Sequence, residues 1–234
     1  MNIDVAHSDG VALLTISRPP VNALDVETVE QLRDLAIGMA AAPPKGIVLC
    51  GGGHCFSAGV DTRAFGSYAP ADRARMILAI SAMITALYAL PCPVVTAVGG
   101  HALGGGFVVM LAGDVRIAVD DDKAKLGLTE AKAGVPFPAA PLEIIKAELS
   151  PELLRRLTLT SQTLSPAALH RHGVIDELCS AGDLLSTAQA RVRQLADQPA
   201  FGSVKQQIRR ATLSRLRAIV ASGEDPLIDA LARA

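Results

Sequence analysis

The stretch Val94-Val95-Thr96-Ala97-Val98-Gly99-Gly100-His101-Ala102-Leu103-Gly104-Gly105-Gly106-Phe107-Val108-Val109-Met110-Leu111-Ala112-Gly113-Asp114-Val115-Arg116-Ile117-Ala118-Val119 holds two strand signals with a glycine-rich turn and a short apolar helix between them. Val94 to Val98 and Val115 to Val119 are short runs rich in β-branched residues, the pattern of strands buried on both faces. Phe107 to Ala112 is apolar all round, so a helix there must lie inside the protein. Strand, crossover helix and strand in that order read as a parallel β/α unit.

Working outward, the same order recurs. Gly46 to Cys50 reads as a buried strand, and the glycine run Gly51 to Gly53 opens the loop His54-Cys55-Phe56-Ser57-Ala58-Gly59-Val60-Asp61. A helix is expected around residues 71 to 90, closed by Pro91 and Pro93. Nearer the start, Ile3 and Val5, the turn Ser8-Asp9-Gly10 and Val11 to Ile16 form a hairpin signal. Asp25 reads as the N-cap of a helix whose apolar positions Val29, Leu32, Leu35, Ala36 and Met39 fall three and four residues apart, ending at Pro43-Pro44. From about residue 139 the pattern is almost wholly helical. The expectation is an α/β protein with a β/α core over residues 1–190 and a helical region over 191–234, whose apolar stripe must pack on the core or on another subunit.

Composition bounds the partners. The chain has 234 residues, half of them hydrophobic, of which 39 are alanine and only seven are aromatic. A formal net charge of -1 gives no long-range attraction for nucleic acid or anionic lipid. No Asp, Glu, Lys or Arg occurs between Arg75 and Asp114. Pro91 and Pro93 nevertheless split that stretch, leaving Met76 to Leu90 short of the roughly 20 apolar residues a membrane span needs. Cys50, Cys55, Cys92 and Cys179 form no C-x-x-C pair and share no ligand spacing with histidine, so free thiols and no metal are expected. The start Met-Asn-Ile-Asp-Val has no signal-peptide pattern. Together with the thiols this gives the expectation of a cytoplasmic protein whose partner is a small molecule, another subunit, or both.

Each glycine-rich turn follows a buried strand and precedes a helix, where backbone can approach a ligand closely and aim N–H groups at it. On residue chemistry alone the runs Gly51 to Gly53 and Gly104 to Gly106 read equally well as tight turns. Glu130 likewise reads as an acid of a helix first turn, with Thr129 as cap. Neither turn fits a dinucleotide fingerprint, and Ser57 lies outside a G-x-S-x-G elbow.

Four ordered motifs go further: Pro19-Pro20-Val21-Asn22-Ala23-Leu24, Phe56-Ser57-Ala58-Gly59-Val60-Asp61, Gly100-His101-Ala102-Leu103-Gly104-Gly105-Gly106 and Gly127-Leu128-Thr129-Glu130. In order and spacing the chain resembles the crotonase family, the enoyl-CoA hydratase/isomerase superfamily, from about residue 3 to about 200. The resemblance implies a spiral of ββα units with a helical C-terminal trimerisation region. It also implies a homotrimer or dimer of trimers, and an acyl-CoA substrate whose coenzyme A enters as part of the thioester, with no separate cofactor. It places the thioester oxygen on the backbone N–H groups of Val60 and Gly105, because proton abstraction beside a thioester puts negative charge on that oxygen. Ala23, Leu24 and Ala58 match positions along the CoA arm. Phe201 and Lys205 fall where C-terminal helices of relatives approach the CoA adenine and phosphates. Asp61 and Val108 are counted with the substrate-binding positions, Asp61 also being expected to fix its own loop, while His54 and His101 are expected to pack and Asp114 to be structural.

The acids carry the sharper implication. Hydratases of the family hold one water between two glutamates, one in G-G-G-x-E and one in G-x-x-E. Here the first place is Val108 and the second is Glu130. A single acid resembles the mitochondrial-type 3-enoyl-CoA to 2-enoyl-CoA isomerases of fatty acid metabolism, with Glu130 moving the proton and apolar Val108 raising its pKa by desolvation. The alternatives are a hydratase, another enolate-forming acyl-CoA enzyme, or a CoA-binding pseudoenzyme or auxiliary subunit. Val135-Pro136-Phe137-Pro138-Ala139-Ala140-Pro141 replaces a glycine-rich segment of hydratases and is expected to form a stiff wall of the acyl pocket.

Overall fold

The computed structural model describes residues 2–232. Alternation of side chains along the central strands separates two cores. Ala12, Leu14, Ile16, Ile47, Leu49, Val94 and Val98 point into the larger one, while Val11, Val48, Cys50, Val95, Ala97 and Ile117 point into the smaller. The strands are β1 (Ile3–Ser8), β2 (Val11–Ile16), β3 (Gly46–Gly51), β4 (Cys55–Ser57), β5 (Val94–Val98), β6 (His101–Leu103), β7 (Val115–Val119), β8 (Leu126–Gly127), β9 (Thr163–Leu164) and β10 (Glu177–Cys179). The first six helices are α1 (Val26–Ala41), α2 (Thr62–Ser67), α3 (Pro70–Tyr88), α4 (Gly105–Leu111), α5 (Glu130–Ala133) and α6 (Ala139–Glu148). The remainder are α7 (Pro151–Thr160), α8 (Pro166–Arg171), α9 (Leu184–Ala196), α10 (Phe201–Ser222) and α11 (Pro226–Ala232).

A six-stranded sheet runs β1-β2-β3-β5-β7-β10, antiparallel at β1–β2 and parallel elsewhere. A second sheet, β4-β6-β8-β9, is parallel until its last strand. Each of β3, β5 and β7 is followed by a short strand of the second sheet and then by helix, so the chain steps three times through one ββα unit and stacks the turns between the sheets side by side. α1 starts where the Asp25 carboxylate accepts the Thr28 N–H at 2.9 Å, and it buries Val29, Leu32 and Ala36 on the larger core. α3 adds Met76, Ile80, Met83, Ile84 and Leu87 to the same side. Leu184, Ala188 and Val192 of α9 close the smaller core.

Several expectations change. The short strands β4, β6 and β8 lie inside stretches read as loops or left unread, because two or three residues are too few to show a period. The helix expected around 71 to 90 is preceded by a separate turn of helix, α2, and opens at Pro70, which suits a first helical position. The helical half contributes β10 to the main sheet. Residue 190 lies inside α9, so the helix that covers the back of the sheet runs through that boundary. The expected apolar stripe of the tail packs within the chain, Leu213 and Leu216 of α10 being buried. Among the described residues no helix is long and apolar enough to cross a membrane. All four cysteines are free thiols, three buried and Cys179 half-buried.

Candidate active site

The turn after β4 and the turn after β6 meet edge to edge. Gly59 makes this possible: its φ is +82°, and a Cβ there would sit 2.6 Å from the Leu103 carbonyl oxygen and 2.9 Å from the Gly105 nitrogen. Gly106 is equally constrained by space, since a Cβ would fall 2.4 Å from the Ser57 carbonyl oxygen. The loop after β2 is zipped onto the first turn. Ala58 N–H donates to Val21 at 2.9 Å, Leu24 N–H to Gly59 at 2.8 Å, and Asp61 N–H to Leu24 at 2.9 Å. Those bonds use the Gly59 carbonyl and the Asp61 N–H and leave the Val60 N–H without an acceptor among the described residues. Gly105 is the first residue of α4, so its N–H has no partner within the helix. Two unengaged backbone donors thus sit on adjoining turns, at the positive end of α4.

Two residues that the sequence reading passed over hold this arrangement. The Asn22 amide is buried and donates to the carbonyls of Gly52 at 2.8 Å and Cys55 at 2.6 Å. The Ser57 hydroxyl donates to the Asn22 carbonyl at 2.7 Å and accepts the Gly59 N–H at 3.1 Å. Both stood inside the quoted motifs, and the signal was a polar residue flanked by apolar ones. Such a residue, when buried, must be bonded to something.

Glu130 opens α5 and turns back onto Gly104, where a Cβ would lie 3.2 Å from Glu130 Oε1. Its Oε2 is buried with no hydrogen-bond partner. Burial pushes the Glu130 pKa up to about 7, against a smaller pull downward from the backbone N–H groups of Glu130 itself and Thr129. The acid borders a cavity of about 130 Å³, whose wall includes Ala58, Val60, Gly105, Val108 and Phe137. Every other residue of that wall is apolar, glycine or threonine, so Glu130 is the one ionisable group facing it among the described residues. Val135, Pro136, Phe137, Pro138 and Pro141 do form part of the wall, as the proline-rich stretch implied.

Comparison with known proteins gives the family. The profile of the family described as enoyl-CoA hydratase/isomerase matches residues 6–225. The chain belongs to this family. The carnitinyl-CoA dehydratase of Salmonella enteritidis is 30% identical over 215 residues, 90% of this chain and 81% of the relative. The crystal structure of the probable enoyl-CoA hydratase EchA3 of Mycobacterium tuberculosis superimposes with a TM-score of 0.86 at 25% identity, over 94% of each chain. The human mitochondrial delta3-delta2-enoyl-CoA isomerase shares the fold, with a TM-score of 0.86 at 24% identity over 96% of this chain and 92% of that one.

In this hydratase/isomerase-family protein the other candidate residues fall in different places. Leu24 is buried and borders a smaller void of about 20 Å³ that shares Val60, Ile80, Gly105, Val108 and Pro141 with the main cavity. Ala23 and Asp61 lie outside the cavity lining. The Ala23 carbonyl accepts from Arg18 at 3.2 Å. Asp61 caps α2 by accepting the Ala64 N–H at 3.0 Å, and it pairs with Arg18 at 2.8 Å. Thr129 holds the N-cap position of α5 but makes no side-chain cap bond. His101 accepts the Lys125 N–H at 3.0 Å, a packing role.

Phe201 and Lys205, expected near the CoA adenine and phosphates of this or a neighbouring subunit, stand apart from the acid. Lys205 is 3% exposed, with its ammonium 2.7 Å from Asp114 and 3.0 Å from the Cys92 carbonyl. Phe201 carries that ammonium 6.0 Å from its ring centre. Lys205 fastens α10 to the core, and neither residue borders the cavity that holds Glu130. No cluster of three or more His, Cys, Asp or Glu side chains suited to a metal ion occurs among the described residues.

Proposed function

We propose that the protein shifts the double bond of an acyl-CoA from the 3 to the 2 position, with Glu130 as the one proton carrier. The observation that carries this reading is the isolation of Glu130: among the described residues it is the single ionisable group on a wall otherwise of apolar residues, glycine and threonine, and Val108 stands where a hydratase needs its second carboxylate. The thioester oxygen rests on the N–H groups of Val60 and Gly105. The ionised Glu130 takes a proton from C2, the electron pair of that C–H bond becomes the C1–C2 double bond of a dienolate, and the carbonyl π pair moves onto the oxygen. Collapse of the dienolate restores the carbonyl, forms the C2–C3 double bond, and draws the proton from Glu130 onto C4. Nothing is gained or lost overall.

Each step fits the surroundings. An acid whose pKa lies near 7 is populated in both forms at neutral pH, which suits one group that must accept and then return a proton; such catalysis contributes typically 10² to 10⁴ in rate. The apolar wall keeps water from competing for the dienolate. Each backbone donor, fixed before substrate arrives, contributes about 2.7–4 kcal/mol to holding the oxyanion.

Water addition is the second reading, favoured by the dehydratase and hydratase names of relatives. Incubating the protein with 3-hexenoyl-CoA and with 2-hexenoyl-CoA in deuterium oxide separates the two. The isomerase reading requires double-bond migration with deuterium at C2 or C4, lost in Glu130→Gln. A 3-hydroxyacyl product without migration would replace it by the hydratase reading, and binding of CoA esters with no exchange at all would leave a non-catalytic binding protein.

A further inference from the structure

Burial along the cavity wall gives the pocket a direction. Thr62, Ala133 and Pro136 are exposed and mark its mouth. Ile77, Ile80, Val108, Pro141 and Leu227 are buried and mark a blind end. Leu227 comes from α11, far along the chain from every other lining residue, and is 4% exposed between the exposed neighbours Glu224 and Pro226 on one side and Asp229 on the other. Asp225 is the reason it sits there. One oxygen of this buried carboxylate accepts the N–H of Ala139, the first residue of α6, at 2.8 Å. The other accepts the N–H of Leu227 at 3.0 Å. A single side chain therefore starts α6 and α11 together and pins the segment against the Val135 to Pro141 wall.

The cavity of about 130 Å³ is slightly smaller than the roughly 150 Å³ cavity known to hold one benzene ring. Its contents are therefore limited to about six heavy atoms. We propose that this pocket gauges acyl length: it takes straight-chain thioesters of about four to six carbons, with Leu227 as the stop and Asp225 as the positioning residue that holds the stop in place. The inference rests on the seating of the thioester at Val60 and Gly105 proposed above.

Saturated acyl-CoAs test it without turnover. Titration calorimetry with butanoyl-, hexanoyl-, octanoyl- and decanoyl-CoA should show affinity rising about fourfold per methylene while the chain still enters the pocket. It should then fall at least tenfold by decanoyl-CoA. Leu227→Ala should move the break to octanoyl-CoA, and Leu227→Phe should move it down to butanoyl-CoA. Asp225→Ala should blunt the break while leaving the affinity for CoA itself unchanged; a loss for CoA as well would reduce Asp225 to a general folding role. An even climb to decanoyl-CoA in the wild type, or one break point shared by the wild type and both Leu227 variants, would overturn the proposal. If the length series holds and no double bond migrates, the isomerase reading fails alone. If migration proceeds with no length break, the gauge fails alone.

Discussion

Glu130 and Asp114 are both carboxylates withdrawn from solvent, and their surroundings differ in one respect. Asp114 accepts from the Val94 N–H at 2.7 Å and is paired with Lys205 at 2.7 Å and Arg209 at 3.0 Å, both cations being buried. The Arg209 guanidinium in turn lies 3.8 Å over the Tyr88 ring and donates to the Tyr88 carbonyl. Burial lowers the Lys205 pKa and Asp114 pushes it back up. Glu130 is pushed up by desolvation, with no cation beside it and one oxygen without a partner among the described residues. Compensated charge ties α10 to the core, whereas uncompensated burial leaves an acid whose pKa is pushed up to about 7. Buried charge alone identifies neither role; the partners do.

That contrast can be broken from either side. Glu130→Gln should reduce deuterium exchange and isomerisation by about 10² to 10⁴, measured by mass spectrometry of the thioester, while leaving the fold intact. Asp114→Ala should do the reverse. It strands two buried cations and should cost about 3–5 kcal/mol of stability by denaturant unfolding, with the chemistry of the surviving folded protein unchanged. Gly105→Pro removes one donor at a first helical position that tolerates proline, where a Cβ meets nothing closer than 3.7 Å. It should lower kcat by about 10² to 10³ with little change in stability.

The smallest effect is a pH dependence with opposite signs for function and folding. Glu130 must be ionised to take the C2 proton, so kcat/KM should rise with pH through an ionisation near 7. Between its ordinary value of 4.5 and about 7 the folded chain binds more protons at Glu130 than the unfolded chain does. Its contribution to stability is therefore full below pH 4.5 and is lost as pH rises to 7. Relative to wild type, Glu130→Gln should gain on the order of 2–3 kcal/mol at pH 8 and nothing at pH 4, measured by urea melts at both values.

How much of this was legible in the sequence depended on how far each feature's partners lie along the chain. The Gly59 and Gly104–Gly106 turns, Glu130 and the absent acid at Val108 could be read because the motifs are local and their order is fixed. Lys205 could not. A lysine in an amphipathic helix gives no sign that its partner is Asp114, 91 residues earlier. Asp225 and Leu227 were missed for the same reason: a carboxylate before a proline reads as a helix start, and the second helix it starts begins at Ala139, 86 residues away. The three-residue strands β4 and β6 were hidden by their shortness, although the turns they aim were plain.

The free N–H groups of Val60 and Gly105 have one more consequence, for an observer with no substrate and no assay. These amide protons, without an acceptor among the described residues, should exchange with water far sooner than those of Asp61 and Val108, whose N–H groups are held by the carbonyls of Leu24 and Gly104. Val60 and Gly105 should therefore be fast-exchanging positions beside slow ones at Asp61 and Val108. Seating a thioester should silence both at once, so occupancy can be read from the backbone itself.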